Sequence, residues 1–241
     1  AYPSIKEIGF EDFSIGEIRH PAEWDWQGDI ITARDTRNPP VIYEMWQTRL
    51  FKFSNIENGW MYNIRSYMPA ENAGKYTSNT KFGKYEVEVL NEAVLLSFSR
   101  QITLKNLHFK NAQVDGGSAN GYGIRVEGSE LLLSNIVMEK LKKGFAIEHQ
   151  WATGNVIKDS TTKNSLGTSD LFHWELSMTN LIDNHIVDGS YWKAIIMDSS
   201  NQGHSSSDSV FWNIKGLRIA DVGIDSRYDR DNDLDGIPDN K

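Results

Sequence analysis

The chain has 241 residues, 39% of them hydrophobic, which is enough for one large domain with a continuous core. A formal charge of -8 without a Lys/Arg cluster excludes nucleic acid as the main partner, because phosphate binding takes a basic footprint. Zero cysteines rule out disulfides, thiolate metal sites and thiol nucleophiles, and no apolar run approaches the roughly 20 residues that cross a bilayer.

The opening "AYPSIKEIGF" has neither a charged n-region nor an apolar h-region, so this segment leaves secretion undecided. Residues 1–50, with "EWDWQGD" and "DTRNPPVIYE", do not repeat and read as an irregular cover over one end of whatever follows. From residue 53 a short phrase recurs: an Asn, an apolar residue, a polar one, another apolar, then a turn. The leading residues Asn106, Asn135, Asn155, Asn180 and Asn213 are separated by steps of 29, 20, 25 and 33. Asn suits such a corner because it tolerates left-handed backbone angles, and stacked copies form an amide ladder. Apolar positions alternate over runs too short for helices, as in "NIVM" and "GIRVEG", which is strand behaviour. The expected fold is all-β, a right-handed parallel β-helix over residues 1–225. A β-sandwich is the alternative, disfavoured because hairpin signals are sparse.

Residues two apart on a strand share a face. In "GIRVEG" Ile124 and Val126 are expected to point inward, with Arg125 and Glu127 outward. "FAIEHQW" buries Phe145 and Ile147 and presents Glu148 and Gln150, with His149 beside them. In "SDLFHWELSM" Phe172, Trp174 and Leu176 point inward and His173 and Glu175 outward, about 7 Å apart. "YWKAIIM" buries Trp192, Ala194 and Ile196 and presents Tyr191 and Lys193. Coils stacked about 4.8 Å apart would align these residues into one ionisable stripe, which solvation alone would also tolerate. The Gly-rich loop 111–123 brings Asp115 and Tyr122 beside it, and lacks the ending of a P-loop. Eight Trp residues add aromatic surface, most of it expected in packing and a few rings free to stack on sugars.

The stretches "ENGWMYNIRS", "GGSANGYG", "EHQWATGNVI", "SDLFHWELSMTNLIDN" and "SVFWNIKG" together resemble secreted bacterial right-handed β-helix proteins of the pectin-lyase-like carbohydrate-active grouping, over about residues 40–217. The resemblance implies an extracellular enzyme acting on a sulfated or uronic polysaccharide. The residue roles come from the face argument instead. For an endo-acting glycoside hydrolase, Glu175 is expected as general acid, Asp170 or Glu148 as its partner and His173 as an orienting or donating group. Arg125 and Lys193 would bind anionic substituents, with Tyr191, Tyr122, Asp115 and His149 along the groove. For a polysaccharide lyase, His173, Tyr191 or Lys193 is the base and a groove carboxylate cluster holds calcium. A non-catalytic glycan-binding solenoid is the third reading.

The chain ends in "DRDNDLDGIPDNK", set apart as a tail over 226–241. Asp229, Asp231, Asp233, Asp235 and Asp239 alternate around Gly236, the arrangement by which carboxylates converge on a hard cation. The tail resembles a thrombospondin type 3 calcium repeat. Structural calcium and an extracellular or cell-surface location follow as expectations, since millimolar calcium is found there.

Overall fold

The computed structural model describes residues 4–20, 48–76, 83–113, 121–165, 170–174, 176–194, 196–197 and 203–218. Within them, one residue per coil adopts a left-handed backbone at the same corner: Asp12, Asn63, Asn106, Asn135, Asp159, Asn184 and Asn213, with φ between 49° and 59°. That conformation is open to Asn and Asp at little cost, so each marks where a strand ends and the chain turns. The Asn side chains donate down the stack, from Asn63 to Asp12 at 2.7 Å, Asn106 to Asn63 at 2.8 Å and Asn135 to Asn106 at 2.8 Å. The ladder starts afresh at Asp159, whose carboxylate accepts from Asn184 but has no N–H to pass on. Asn213 continues it onto Asn184 at 3.1 Å.

Between these corners the strands pair in parallel, coil upon coil, as three sheets joined by short bends. The first sheet stacks β4 (Arg49–Ser54), the opening part of β7 (Glu92–Lys110), β8 (Tyr122–Ser129), β10 (Lys143–Glu148), β13 (Asp170–His173) and β16 (Trp192–Ala194). The second runs from β2 (Gly9–Glu11) through β5 (Ile56–Tyr62), the middle of β7, β9 (Leu132–Glu139), β11 (Val156–Lys158) and β14 (Leu181–Asp183) to β19 (Val210–Trp212). The third ends on β12 (Thr161–Lys163), β15 (Ile186–Asp188) and β20 (Lys215–Arg218). This is the expected parallel β-helix, and the sandwich alternative is set aside because all of these pairings are parallel and cross over between coils.

Inward-facing residues form columns. Phe53, Leu96, Val126, Ile147 and Phe172 stack in register on the first sheet, and Leu104, Leu133, Ile157 and Ile182 on the second. Each buried side chain of this size contributes about 1.5–3 kcal/mol, so the columns are the main cohesive term.

Two sequence expectations change here. Residues 1–50 were expected as an irregular cover, yet β1 (Ile5–Lys6), β2 and β3 (Ser14–Ile15) form a regular coil paired to the next. Residues 21–47, which hold "EWDWQGD", and the tail at 226–241 lie outside the described residues. The repeat steps of 29, 20, 25 and 33 mixed two ladders. Asn155 and Asn180, only 1% and 2% exposed, belong to an interior ladder at a different corner. Leu131 N donates to Asn155 Oδ1 at 3.0 Å, Asn155 N to Asn180 Oδ1 at 3.0 Å, and Asn180 N to Ser209 Oγ at 3.1 Å. Their amide nitrogens bond the carbonyls of Gly128 and Ala152. Both ladders use Asn at a turn, so a motif search cannot separate them.

The two ladders differ in consequence. Asn180→Ala strips a buried corner of its partners and is expected to lower stability by roughly 2–3 kcal/mol in denaturant unfolding. Asn106→Gly keeps the left-handed backbone and loses only an exposed rung, so less than about 1 kcal/mol is expected. Equal losses would contradict the interior assignment.

Candidate functional site

The outer side of the first sheet carries the ionisable stripe, built by the same register as the core. Lys52, Leu95, Arg125, Ala146, Leu171 and Lys193 align in one column between the inward columns. Glu148 pairs in register with His173 one coil on. The stripe is far less solvated than its composition suggests: Arg125 and Glu148 are buried, as are Glu92, Tyr122 and Lys143, which begin their strands two residues before the inward-facing Val94, Ile124 and Phe145.

Arg125 is the hub. Its guanidinium lies 3.4 Å from Glu92, 3.2 Å from Glu127 and 3.9 Å from Glu148, and sits over the Tyr122 ring at 5.9 Å. Burial works against its charge, but the three carboxylates outweigh that and hold the guanidinium charged more firmly than usual. Glu148 is pulled the same way. Desolvation opposes its ionisation, yet the contact with His173 Nδ1 at 3.2 Å, together with Arg125 and Lys143, keeps its carboxyl below the ordinary range. Glu92 goes the other way, raised by burial despite Arg125 and Arg49.

Lys143 completes the cluster. Its ammonium donates to Tyr122 Oη at 3.1 Å, and its Nζ lies 4.6 Å from the center of the Tyr122 ring. Burial, and then the charge of Lys142, pushes the lysine down to about 7. An amine titrating near neutrality beside a phenol hydroxyl, a guanidinium and a low-pKa carboxylate is a set able to take and return protons.

His149 and His173 lead into a run of aromatic rings. Trp174 stacks on His149 at 5.5 Å and tilts over His173 at 5.1 Å, while Trp151 also stacks on His149 at 5.2 Å. Tyr191 and Lys193 are half-buried at the edge of the sheet.

Several expected residues are placed differently. Asp170, proposed as a carboxylate partner, is 0% exposed and turned into the coil interior. Its Oδ1 accepts from Gly144 N at 2.7 Å and Phe145 N at 2.9 Å, and its Oδ2 lies 3.5 Å from buried His185. Gly144 is required there, since a Cβ would stand 2.3 Å from Thr162 Oγ1 and 2.9 Å from Asp170. Asp170 is therefore a cap on the interior of the coil, and its expected place beside the groove is corrected. The alternation also stops at His173. Trp174 and Leu176 have φ of 67° and 60°, and Leu176 is exposed, so neither continues the inward column. A strict period of two does not survive a corner. Glu175 and Asp115 lie outside the described residues, as do Asp229, Asp231, Asp233, Asp235 and Asp239.

Sequence reasoning missed Lys143 and Glu92. Lys143 stands two residues before Phe145 in a run read only for Glu148, and Glu92 pairs with Arg125 from a coil that carried no motif. The density of charge in otherwise apolar strand sequence was the available signal.

A groove calcium was also expected. Glu127, Glu148 and His149 can bring one ligand atom each within 4.8 Å of one another. Two carboxylates with an imidazole suit a transition-metal ion, whereas calcium takes an all-oxygen shell, and Glu148 is already engaged by His173 and Arg125. These donors do not fit the calcium expectation. Comparison with protein-family models, curated proteins and solved structures found no match.

The depressed lysine makes a signed prediction. Lys143 is lowered from 10.5 to about 7, so between these values the unfolded chain binds more protons and stability rises with pH. Its burial therefore costs most below about pH 7, up to an upper bound of roughly 5 kcal/mol, and nothing above its unfolded value. Lys143→Met is expected to be more stable than wild type at pH 7, with the gap closing toward pH 10 in urea titrations. A gap independent of pH would show that the amine is not depressed.

Proposed function

We propose that this is an extracellular polysaccharide-degrading protein that cleaves an anionic glycan by β-elimination at the charged cluster of its first sheet. One observation carries the reading: the Lys143 amine, depressed to about 7, is hydrogen-bonded at 3.1 Å to the Tyr122 hydroxyl beside Arg125 and Glu148. The resemblance to pectin-lyase-like β-helix proteins and the calcium-loop pattern of the tail support the extracellular glycan setting. A row of stacked coils also offers a linear polymer regularly spaced subsites.

In this mechanism neutral Lys143 takes the proton on the carbon α to the uronate carboxylate. The electrons of that C–H bond form a carbon–carbon double bond as the adjacent C–O glycosidic bond breaks. Tyr122 gives its hydroxyl proton to the departing oxygen. Lys143, now an ammonium, returns the abstracted proton to the Tyr122 phenolate across their hydrogen bond, and both groups are restored. Lys193, at the half-buried rim, supplies the positive side that faces the uronate carboxylate.

Hydrolysis was the first expectation and has less support. It needs one carboxylic acid held protonated opposite a second carboxylate. Glu148 is held ionised and Asp170 faces the interior. Glu92 is raised, but its two carboxylate oxygens are taken up by Arg49 and Arg125.

Incubation with a panel of alginate, polygalacturonate and sulfated algal polysaccharides is expected to release unsaturated uronides that absorb in the ultraviolet. Lys143→Ala and Tyr122→Phe should each reduce the rate by about 10²–10⁴-fold, and the wild-type rate should climb as pH rises through about 7. New reducing ends without ultraviolet absorbance would replace elimination by hydrolysis. Binding without cleavage of any polymer would leave a glycan-binding solenoid.

A further inference from the structure

The ring stack that begins at His173 does not end at the charged cluster. From Trp151 it continues to Phe98, with ring centroids 5.1 Å apart, and these two rings line a cleft of about 410 Å³. Asn55, Glu57, Arg100 and Ser129 supply its polar lining, and its size is that of a small-ligand site.

Phe98 is the anomaly that gives the cleft meaning. It has φ 50°, a left-handed conformation that costs a bulky residue about 1–2 kcal/mol, and at 58% exposure it recovers little of this by burial. At the equivalent corner one coil earlier the chain uses Asn55, φ 56°, which suits that backbone. The coil between Phe98 and Trp151 carries Gly128 and Ser129, and a Cβ on Gly128 would stand 2.4 Å from Ser99 O. With no large side chain between them, the two rings meet across that coil and form one apolar wall.

The two charged groups lining the cleft, Glu57 and Arg100, pair with each other, and Lys6 beside the cleft leaves one cation in excess. Glu57 takes Arg100 at 2.9 Å, Lys6 at 3.2 Å and the Ser4 hydroxyl at 3.2 Å. An apolar ring wall facing polar groups matches a pyranose, which has a C–H face and a hydroxyl rim. We infer that this cleft is a distal sugar subsite, stacking a ring of the glycan on Trp151, which belongs to the coil next to His173, and on Phe98, three coils from His173. By coil spacing that separation is about 14 Å, so only a chain of several sugar units spans both places. The inference rests on the polysaccharide reading above and adds a length requirement to it.

The test is a titration of wild-type protein and Phe98→Asn with di- and hexasaccharides of alginate and polygalacturonate, followed by tryptophan fluorescence. Asn keeps the left-handed corner, so the variant is expected to melt at or above the wild-type temperature. Hexasaccharide Kd should rise about 5- to 10-fold in Phe98→Asn while disaccharide Kd stays unchanged. Unchanged hexasaccharide binding, an equal loss for both lengths, or no binding of either sugar to wild type would overturn the subsite. Phe98-dependent hexasaccharide binding without any cleavage would keep the subsite and reject the elimination reading. Cleavage that Phe98→Asn leaves untouched in KM would do the reverse.

Discussion

Everything in this fold depends on turning the chain three times per coil while satisfying the backbone groups exposed at each turn. Left-handed corners at Asn and Asp make the turn, and the next coil's side chains and carbonyls receive the freed N–H groups. No corner is complete without the coil stacked on it. The cohesion of the molecule is therefore a nearest-neighbour property, and register at one corner sets register for every column on the adjoining sheets.

That register explains how Arg125 and Glu148 come to lie buried on the outside of a sheet. Columns that place Phe53, Leu96, Val126, Ile147 and Phe172 inward must place Arg125, Glu148 and His173 on the other side. Burying such groups is expensive unless each is paired, and Arg125 answers this by touching three carboxylates. Lys143 is the member of the charged cluster whose balance is worst, and its depressed titration is the consequence. Burying the cluster costs stability that an apolar cluster of the same size would not.

Within strands the sequence was readable. Ile124, Val126, Phe145, Ile147 and Phe172 point inward as their alternation requires, and Arg125, Glu148 and His173 share the opposite side. At corners it was not, because a left-handed residue resets the alternation: Trp174 and Leu176 left the interior and Asp170 entered it. The Asn repeat was visible, but Asn155 and Asn180 looked like members of the exposed ladder until their buried partners were seen.

The sequence by itself determined the class of fold and the face on which ionisable groups gather, because both follow from local periodicity and from turn residues with special backbone freedom. Only the tertiary structure decided which of those groups meet. Lys143 with Tyr122, Glu92 with Arg125, and Phe98 with Trp151 are each brought together across 21 to 53 residues, as 143 − 122, 125 − 92 and 151 − 98 give. Coil lengths differ along the chain, so sequence spacing does not encode the vertical alignment of coils. The hydrogen-bonded register between neighbouring coils does.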